Sequence, residues 1–300
     1  MANLSEWLTS FRLHTLPLAL STIICGSFLA AYHQNFHWKI AIGATLTTLF
    51  LQVLSNLAND YGDMITGVDN KERLGPKRGL QKGSISKKQM KNAIIICILC
   101  SLISGIWLIG EAFKNSSSWL SLSFFLLGCG AILAAIKYTM GKNPYGYSGF
   151  GDLFVFIFFG LVGVMGTFYL HTQSFSLTEW LPAIAMGCFS TGVLNLNNLR
   201  DEKNDILYNK RTLVVQWGFD KAKKYHIALL IIGMLAGIIY VFLIPTSTWR
   251  FLIAIPYLGM LFHAKMVWNN KERKDLNKEL RNLSLLTLAF SLCLGIGILL

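Results

Sequence analysis

Charged side chains are scarce in this 300-residue sequence, at 14% of residues where soluble chains carry about 25%. Negative charge is the scarcest kind, with 15 Asp and Glu against 27 Lys and Arg. A chain this poor in charge, 53% hydrophobic and with a mean hydropathy of +0.49, is excluded from the soluble domains. Cysteine is also sparse. All six (Cys25, Cys97, Cys100, Cys129, Cys188, Cys293) lie inside apolar stretches, which excludes a disulfide framework. Cys97 and Cys100 form a CILC pair, but no second pair or neighbouring His accompanies it, so it reads as apolar core and not as a zinc or redox site. The six His are scattered without ligand spacing. No basic cluster precedes the first apolar run and eight more runs follow it, which excludes a cleaved signal peptide.

What is present is a series of apolar stretches, each near the length of about 20 residues that crosses a bilayer. Nine are expected, at about 15–32, 39–58, 90–110, 119–136, 153–172, 178–196, 226–244, 250–268 and 282–300. Lys and Arg favour the cytoplasmic side of such spans. With the N-terminus inside, every Lys and Arg except Lys39, Lys114 and Arg250 falls on inner segments. The sequence therefore predicts an all-α, multi-pass membrane protein, a single domain over 1–300 with a cytoplasmic N-terminus. The net charge of +12 is then explained by inner loops facing anionic lipid or an anionic substrate, with no nucleic acid involved.

Polar side chains concentrate in two matching places. SNLANDYGDMITGVDN, residues 55–70, ends the second stretch, and its Asn56, Asn59, Asp60 and Asp63 share one helical face. LNLNNLRDEKNDILYNKRT, residues 194–212, ends the sixth, with Asn197, Asn198, Asp201, Asn204 and Asp205 on one face. The two patches are four helices apart, so the chain reads as two four-helix halves, each contributing one acidic patch at the same depth, with a ninth helix appended. Ionisable groups at membrane depth usually mark function. Clustered carboxylates raise one another's pKa unless a cation neutralises them, and carboxylate and amide oxygens suit Mg²⁺ shared with a substrate phosphate. Both patches are read as Mg²⁺ sites. The nearby Arg78, Arg200 and Lys210 point to an anionic ligand, a lipid-tailed diphosphate. Asp69, six residues past Asp63 with Gly67 between, either rejoins the site after a turn at Gly67 or faces solvent. A Gly- and Tyr-rich segment, IKYTMGKNPYGYSGFGDLFVFIFFG at 136–160, links two spans on the same inner side. It reads either as an interfacial aromatic belt, or as a wrap for a flat aromatic ligand or a reactive carbocation.

At NDYGDMITGVD, NNLRDEKNDILYNKRTL, the Gly/Tyr segment, the opening RLHTLPLA and the loop GPKRGLQKG, the sequence resembles the UbiA superfamily of intramembrane prenyltransferases over essentially its whole length. Within the superfamily it is most similar to the branch that prenylates 1,4-dihydroxy-2-naphthoate in menaquinone biosynthesis. Gly67 stands where the broader pattern has an acid, as in that branch. The resemblance implies a cytoplasmic-membrane transferase that uses Mg²⁺, with two ions bridging the diphosphate of an all-trans polyprenyl donor. It implies Asp60, Asp63, Asp201 and Asp205 as the catalytic acids, with Asn59 and Asp69 joining them as metal ligands. Arg78, Arg200, Lys210 and Asn197 are expected on the diphosphate, and Tyr138, Tyr145 and Asp152 on the aromatic acceptor. A superfamily member with another aromatic acceptor is one alternative. A cation-coupled transporter is the alternative from a different class.

Overall fold

The computed structural model describes residues 3–68, 74–75, 77–114, 118–245 and 247–300. Among these, every regular element is a helix: α1 (Leu4–Phe11), α2 (Leu16–Tyr32), α3 (Trp38–Thr66), α4 (Lys87–Ala112), α5 (Ser118–Lys137), α6 (Gly151–Val155), α7 (Thr167–Thr172), α8 (Trp180–Leu207), α9 (Leu213–Trp217), α10 (Phe219–Leu243), α11 (Ala254–Trp268) and α12 (Leu276–Leu299). A π-helical stretch, Phe156–Gly166, joins α6 to α7, so that Gly151–Thr172 runs as one rod.

Eight rods among the described residues are long and apolar enough to cross a membrane: Leu4–Tyr32, Trp38–Thr66, Lys87–Ala112, Ser118–Lys137, Gly151–Thr172, Phe219–Leu243, Thr248–Trp268 and Arg273–Leu299. Their outer faces carry the large exposed apolar side chains, such as Ile96, Ile103 and Trp107 on α4 and Ile232, Leu235 and Phe242 on α10. Such continuous apolar exposure suits lipid and not water. The remaining long helix, α8, is 28 residues and carries the second polar patch. Its Asn and charged side chains keep it out of the apolar set, yet most of it is buried, including Leu196, Leu199, Arg200, Asp201 and Asp205.

Two of the apolar stretches continue further as helix than their hydropathy predicts. α3 runs to Thr66 and α8 to Leu207, so each acidic patch rides on the same helix as the apolar stretch before it. α3 stops at Gly67, whose φ of 80° is open to glycine and strained for other residues. The short amphipathic α1 is an addition to the expected set. It packs Trp7 and Phe11 inward, leaves Leu4 and Leu8 exposed, and meets α2 through Arg12 at φ 52°.

The packed interior forms three clusters: a small one, with Ile23, Ile40, Ala44, Leu108, Tyr169 and Leu170, and two that flank the site. One core, with Leu54, Leu57, Met90, Ile94 and Ile132, joins α3, α4 and α5. The larger one, with Leu29, Phe168, Phe189, Leu199, Tyr240, Leu283 and Phe290, joins α2, the π-helical rod, α8 and α10–α12. α2 thus packs with the C-terminal helices, and α5 packs against α3 and α4. The space left between the two cores holds the functional groups.

Candidate active site

A cavity of about 670 Å³ lies between the cores. From α3 it is lined by Gln52, Ser55, Asn56, Asn59 and Asp63, and from α8 by Ser190, Leu194, Asn197, Asp201 and Asp205. Gln52, Asn56, Asn59 and Asp63, and the whole α8 set, follow steps of three and four, the spacing of a single helical face. The faces predicted from sequence therefore meet across one space, although they are 141 positions apart at Asp60 and Asp201.

On the α3 side, each described carboxylate is held by basic groups. Arg12 Nη2 donates to Asp60 Oδ1 at 2.6 Å, and Arg78 Nη1 lies 2.9 Å from the same oxygen and 3.2 Å from Asp63 Oδ2. Asp63 Oδ1 also accepts from the Tyr147 hydroxyl at 2.8 Å. Asp60 is fully buried and does not line the cavity, whereas Asp63 does. Asn59 Oδ1 accepts from Thr139 Oγ1 at 3.2 Å. That hydroxyl also donates to Ala58 O, a close approach that Gly62 permits, since a Cβ there would fall 2.6 Å from Thr139 O.

On the α8 side, Arg200 is buried and engaged through all three of its nitrogens. It donates through Nε to Asp201 Oδ1 at 2.8 Å, through Nη2 to Asp201 Oδ2 and to Asn197 Oδ1 at 2.7 Å, and through Nη1 to Asn277 Oδ1 at 2.9 Å. Lys210 Nζ lies 3.6 Å from Asp205 Oδ1. Burial alone would lower the Lys210 pKa, but Asp205, then Asp63, Tyr147 and Asp201, outweigh it and hold the ammonium above the ordinary lysine value. The two acidic rods are tied where they emerge, with Asn204 Nδ2 donating to Val68 O at 2.9 Å.

The Gly/Tyr segment supplies an aromatic wall. Tyr138 and Tyr145 stand edge to face at 5.4 Å, Tyr145 stacks on Phe154 at 4.1 Å, and Phe154 stacks on Phe158 at 6.1 Å. All four line the cavity and lead from its polar end along an apolar arm that also touches Ala131, Ala134 and Val162. Burial raises the Tyr138 and Tyr145 phenols, which stay neutral. Asp152 is not brought to this wall. It is buried beside Tyr225, outside the cavity lining. Asp69 lies outside the described residues.

A family model described as "UbiA prenyltransferase family" matches residues 19–289. The chain belongs to that family. It is 42% identical to a protein of Haemophilus influenzae named 1,4-dihydroxy-2-naphthoate octaprenyltransferase, over 99% of this chain and 96% of the relative. A protein of the same name from Escherichia coli is 44% identical over 86% of this chain and 84% of its own length. Among solved structures, a UbiA homologue from Aeropyrum pernix K1 superposes with a TM-score of 0.70 at 18% identity, covering 96% of this chain and 98% of that one. A homologue from Archaeoglobus fulgidus bound to GPP and Mg²⁺ gives 0.66 at 15% identity, covering 98% and 100%. At these identities the structures attest the UbiA fold.

The residues of this UbiA chain fit a Mg²⁺ ion. Both oxygens of Asp205 and Oδ2 of Asp60 are buried without a hydrogen-bond partner, an arrangement that leaves hard anionic donors for a cation. No three acidic, His or Cys side chains converge on one point among the described residues. The site is instead spread over two rods, and an ion here would share its remaining coordination with a phosphate, as Mg²⁺ does.

Three groups at the UbiA site are not evident from the sequence as site residues. Arg12, Tyr147 and Asn277 reach Asp60, Asp63 and Arg200 from 48, 84 and 77 residues away. The signal available for Arg12 was its place in RLHTLPLA, and for Tyr147 its place among the loop tyrosines. Asn277 had none.

Proposed function

We propose that this chain transfers a polyprenyl group from an all-trans polyprenyl diphosphate to 1,4-dihydroxy-2-naphthoate, releasing diphosphate and CO₂ and forming demethylmenaquinol. The observation that carries this is the union, in one cavity, of two acidic helix faces, the cationic side chains beside them and an apolar aromatic arm. The relatives' shared name supplies the acceptor. The membrane is the cytoplasmic one, with the site on its inner side, supported by the clustering of Lys and Arg on the loops around both patches. α8 serves as a ninth span, its polar face turned to the cavity. The two halves, each with one acidic rod, form a pseudo-repeat.

Asp63, Asp201 and Asp205, with Asn59 and the buried Asp60 behind them, would hold one or two Mg²⁺ ions. Bound there, Mg²⁺ offsets the charge that builds on the leaving diphosphate. Arg78, Arg200 and Lys210 add donors to the diphosphate oxygens, and Asn197 fixes the Arg200 guanidinium. Fixed positive charge aimed at developing negative charge usually contributes more to catalysis in such sites than any other single effect. The wall from Tyr138 to Phe158 excludes water from the allylic cation and offers π faces to it. Tyr138 and Tyr145, at the polar end, face the naphthoate ring, whose electron-rich carbon attacks. Loss of CO₂ from that carbon restores aromaticity without an external base.

The reading is tested with purified protein, a polyprenyl diphosphate and 1,4-dihydroxy-2-naphthoate, with Mg²⁺ or chelator and with 4-hydroxybenzoate in parallel. Metal-dependent prenylated naphthoquinol with CO₂ is the expected product by mass spectrometry. Product from 4-hydroxybenzoate alone would reassign the acceptor, and absence of any donor turnover by folded protein would favour a transporter.

The apolar arm is open to a separate test. Ala131→Trp adds bulk to its lining, so kcat/KM for a long polyprenyl donor should fall about 10-fold or more while geranyl diphosphate is spared, because inserted bulk in a packed pocket costs about 1–3 kcal/mol. Equal loss for both donors would place the tail elsewhere.

A further inference from the structure

Tyr147 lies outside the cavity lining, yet it touches both acidic motifs. Its hydroxyl donates to Asp63 Oδ1 at 2.8 Å and lies 2.9 Å from Thr66 Oγ1, at the end of α3. Its ring lies beneath the Lys210 ammonium, 5.4 Å from Nζ to the centroid. Its carbonyl accepts from the Arg211 amide at 2.9 Å. The same stretch after α8 is held in turn by Lys210 N to Asp205 O at 2.9 Å and by Gln216 Nε2 to Arg211 O at 2.8 Å. Three different parts of one residue therefore fasten three points: a carboxylate of the first motif, the cation of the second, and the backbone that carries that cation.

We infer that Tyr147 is a positioning residue that sets the distance and orientation between the two acidic motifs, and so the affinity of the site for Mg²⁺ and diphosphate. The inference rests on the prenyl-transfer reading above. Asp63 can present an oxygen to a cation in one direction only if its carboxylate is kept from rotating. With Arg78 on Oδ2 and Tyr147 on Oδ1, the plane of the group is fixed from both sides. Lys210, on a flexible four-carbon stem, gains a preferred place over the Tyr147 ring on the side facing Asp205. Burial, with Asp63 beside it, raises the Tyr147 phenol, so the group remains a donor at neutral pH. The loop that bears Tyr147 is thus a strap across the ends of α3 and α8, and the same turn, Tyr145–Tyr147, carries Tyr145 into the cavity wall on its other side.

The test compares wild type with Tyr147→Phe and Tyr147→Ala. Phe keeps the ring beneath Lys210 and removes only the hydroxyl, whereas Ala removes both. Two readouts are taken: steady-state transfer as a function of Mg²⁺ and donor, and thermal stabilisation of the purified protein by inorganic diphosphate as Mg²⁺ is raised. Tyr147→Phe should raise half-saturating Mg²⁺ about 5-fold or more in both readouts, with kcat within about 3-fold of wild type and the melting temperature without ligand unchanged, as expected for loss of one hydrogen bond to a charged group. Tyr147→Ala should add a comparable rise in the KM of the donor. Unchanged half-saturation in Tyr147→Phe, or a loss confined to kcat or to the unliganded melting temperature, overturns the inference while wild-type turnover leaves the prenyl-transfer reading standing. A wild-type protein that shows neither turnover nor Mg²⁺-dependent stabilisation by diphosphate overturns both.

Discussion

Asp63→Asn should lower kcat/KM for prenyl transfer by about 100-fold or more, corresponding to at least about 3 kcal/mol of lost transition-state stabilisation. The substitution is nearly isosteric. It leaves the oxygen that accepts from Tyr147, and Arg78 keeps its partner Asp60 at 2.9 Å. No buried charge is stranded, so the melting temperature should stay within a few degrees of wild type. The loss is therefore expected in chemistry and in Mg²⁺ dependence, not in folding. Asp201→Asn should lower transfer similarly, because Asp201 also lines the cavity, but it removes the carboxylate paired with the buried Arg200 and so should cost stability too. Asp60→Asn provides the contrast to Asp63→Asn. Asp60 lies behind the cavity and is clasped by Arg12 and Arg78, so its neutralisation takes the carboxylate from Arg12, while Arg78 keeps Asp63, and should cost stability as well. Near wild-type transfer by Asp63→Asn at saturating Mg²⁺ would remove the acidic motifs from the site.

Arg78→Gln should separate the two substrates of the charged end. Arg78 bridges Asp60 and Asp63 with a single nitrogen, at 2.9 and 3.2 Å, and is itself buried. Without it the α3 carboxylates are less neutralised, and their attraction for a divalent cation rises. The diphosphate, in contrast, loses a charge-assisted donor. The expected outcome is a half-saturating Mg²⁺ that falls several-fold while the KM of the donor rises about 10-fold or more and kcat drops. Titration of Mg²⁺ and donor in the same assay reads both. If both constants rise together, Arg78 serves only to hold the α3 carboxylates in place.

The spans were legible because lipid imposes a length and a composition on any helix that crosses it. The expected stretches at 90–110 and 119–136 correspond to Lys87–Ala112 and Ser118–Lys137 with only their ends adjusted. The acidic faces were legible because a helix converts spacing directly into direction, and Asn59 with Asp63, or Asp201 with Asp205, could only point the same way. The partners of those acids were not legible. Arg12 reaches Asp60 through a backbone turn at positive φ, and Asn277 reaches Arg200 from the start of α12. Neither contact leaves a periodic trace. The resemblance placed Asp152 at the acceptor, but the first turn of α6, packed against α8, sets it beside Tyr225 and outside the cavity lining.

By itself, then, the sequence determined the environment of this protein, its helices, and the two acid-bearing faces that place it among the UbiA prenyltransferases. Those properties follow from local chemistry repeated at fixed intervals. The tertiary structure alone decided which cations neutralise which carboxylates, that the two faces share one cavity, and that Tyr147 straps them together. Such choices are made by side chains dozens of residues apart, and only the packing of separate cores around a common space brings them within a hydrogen bond of each other.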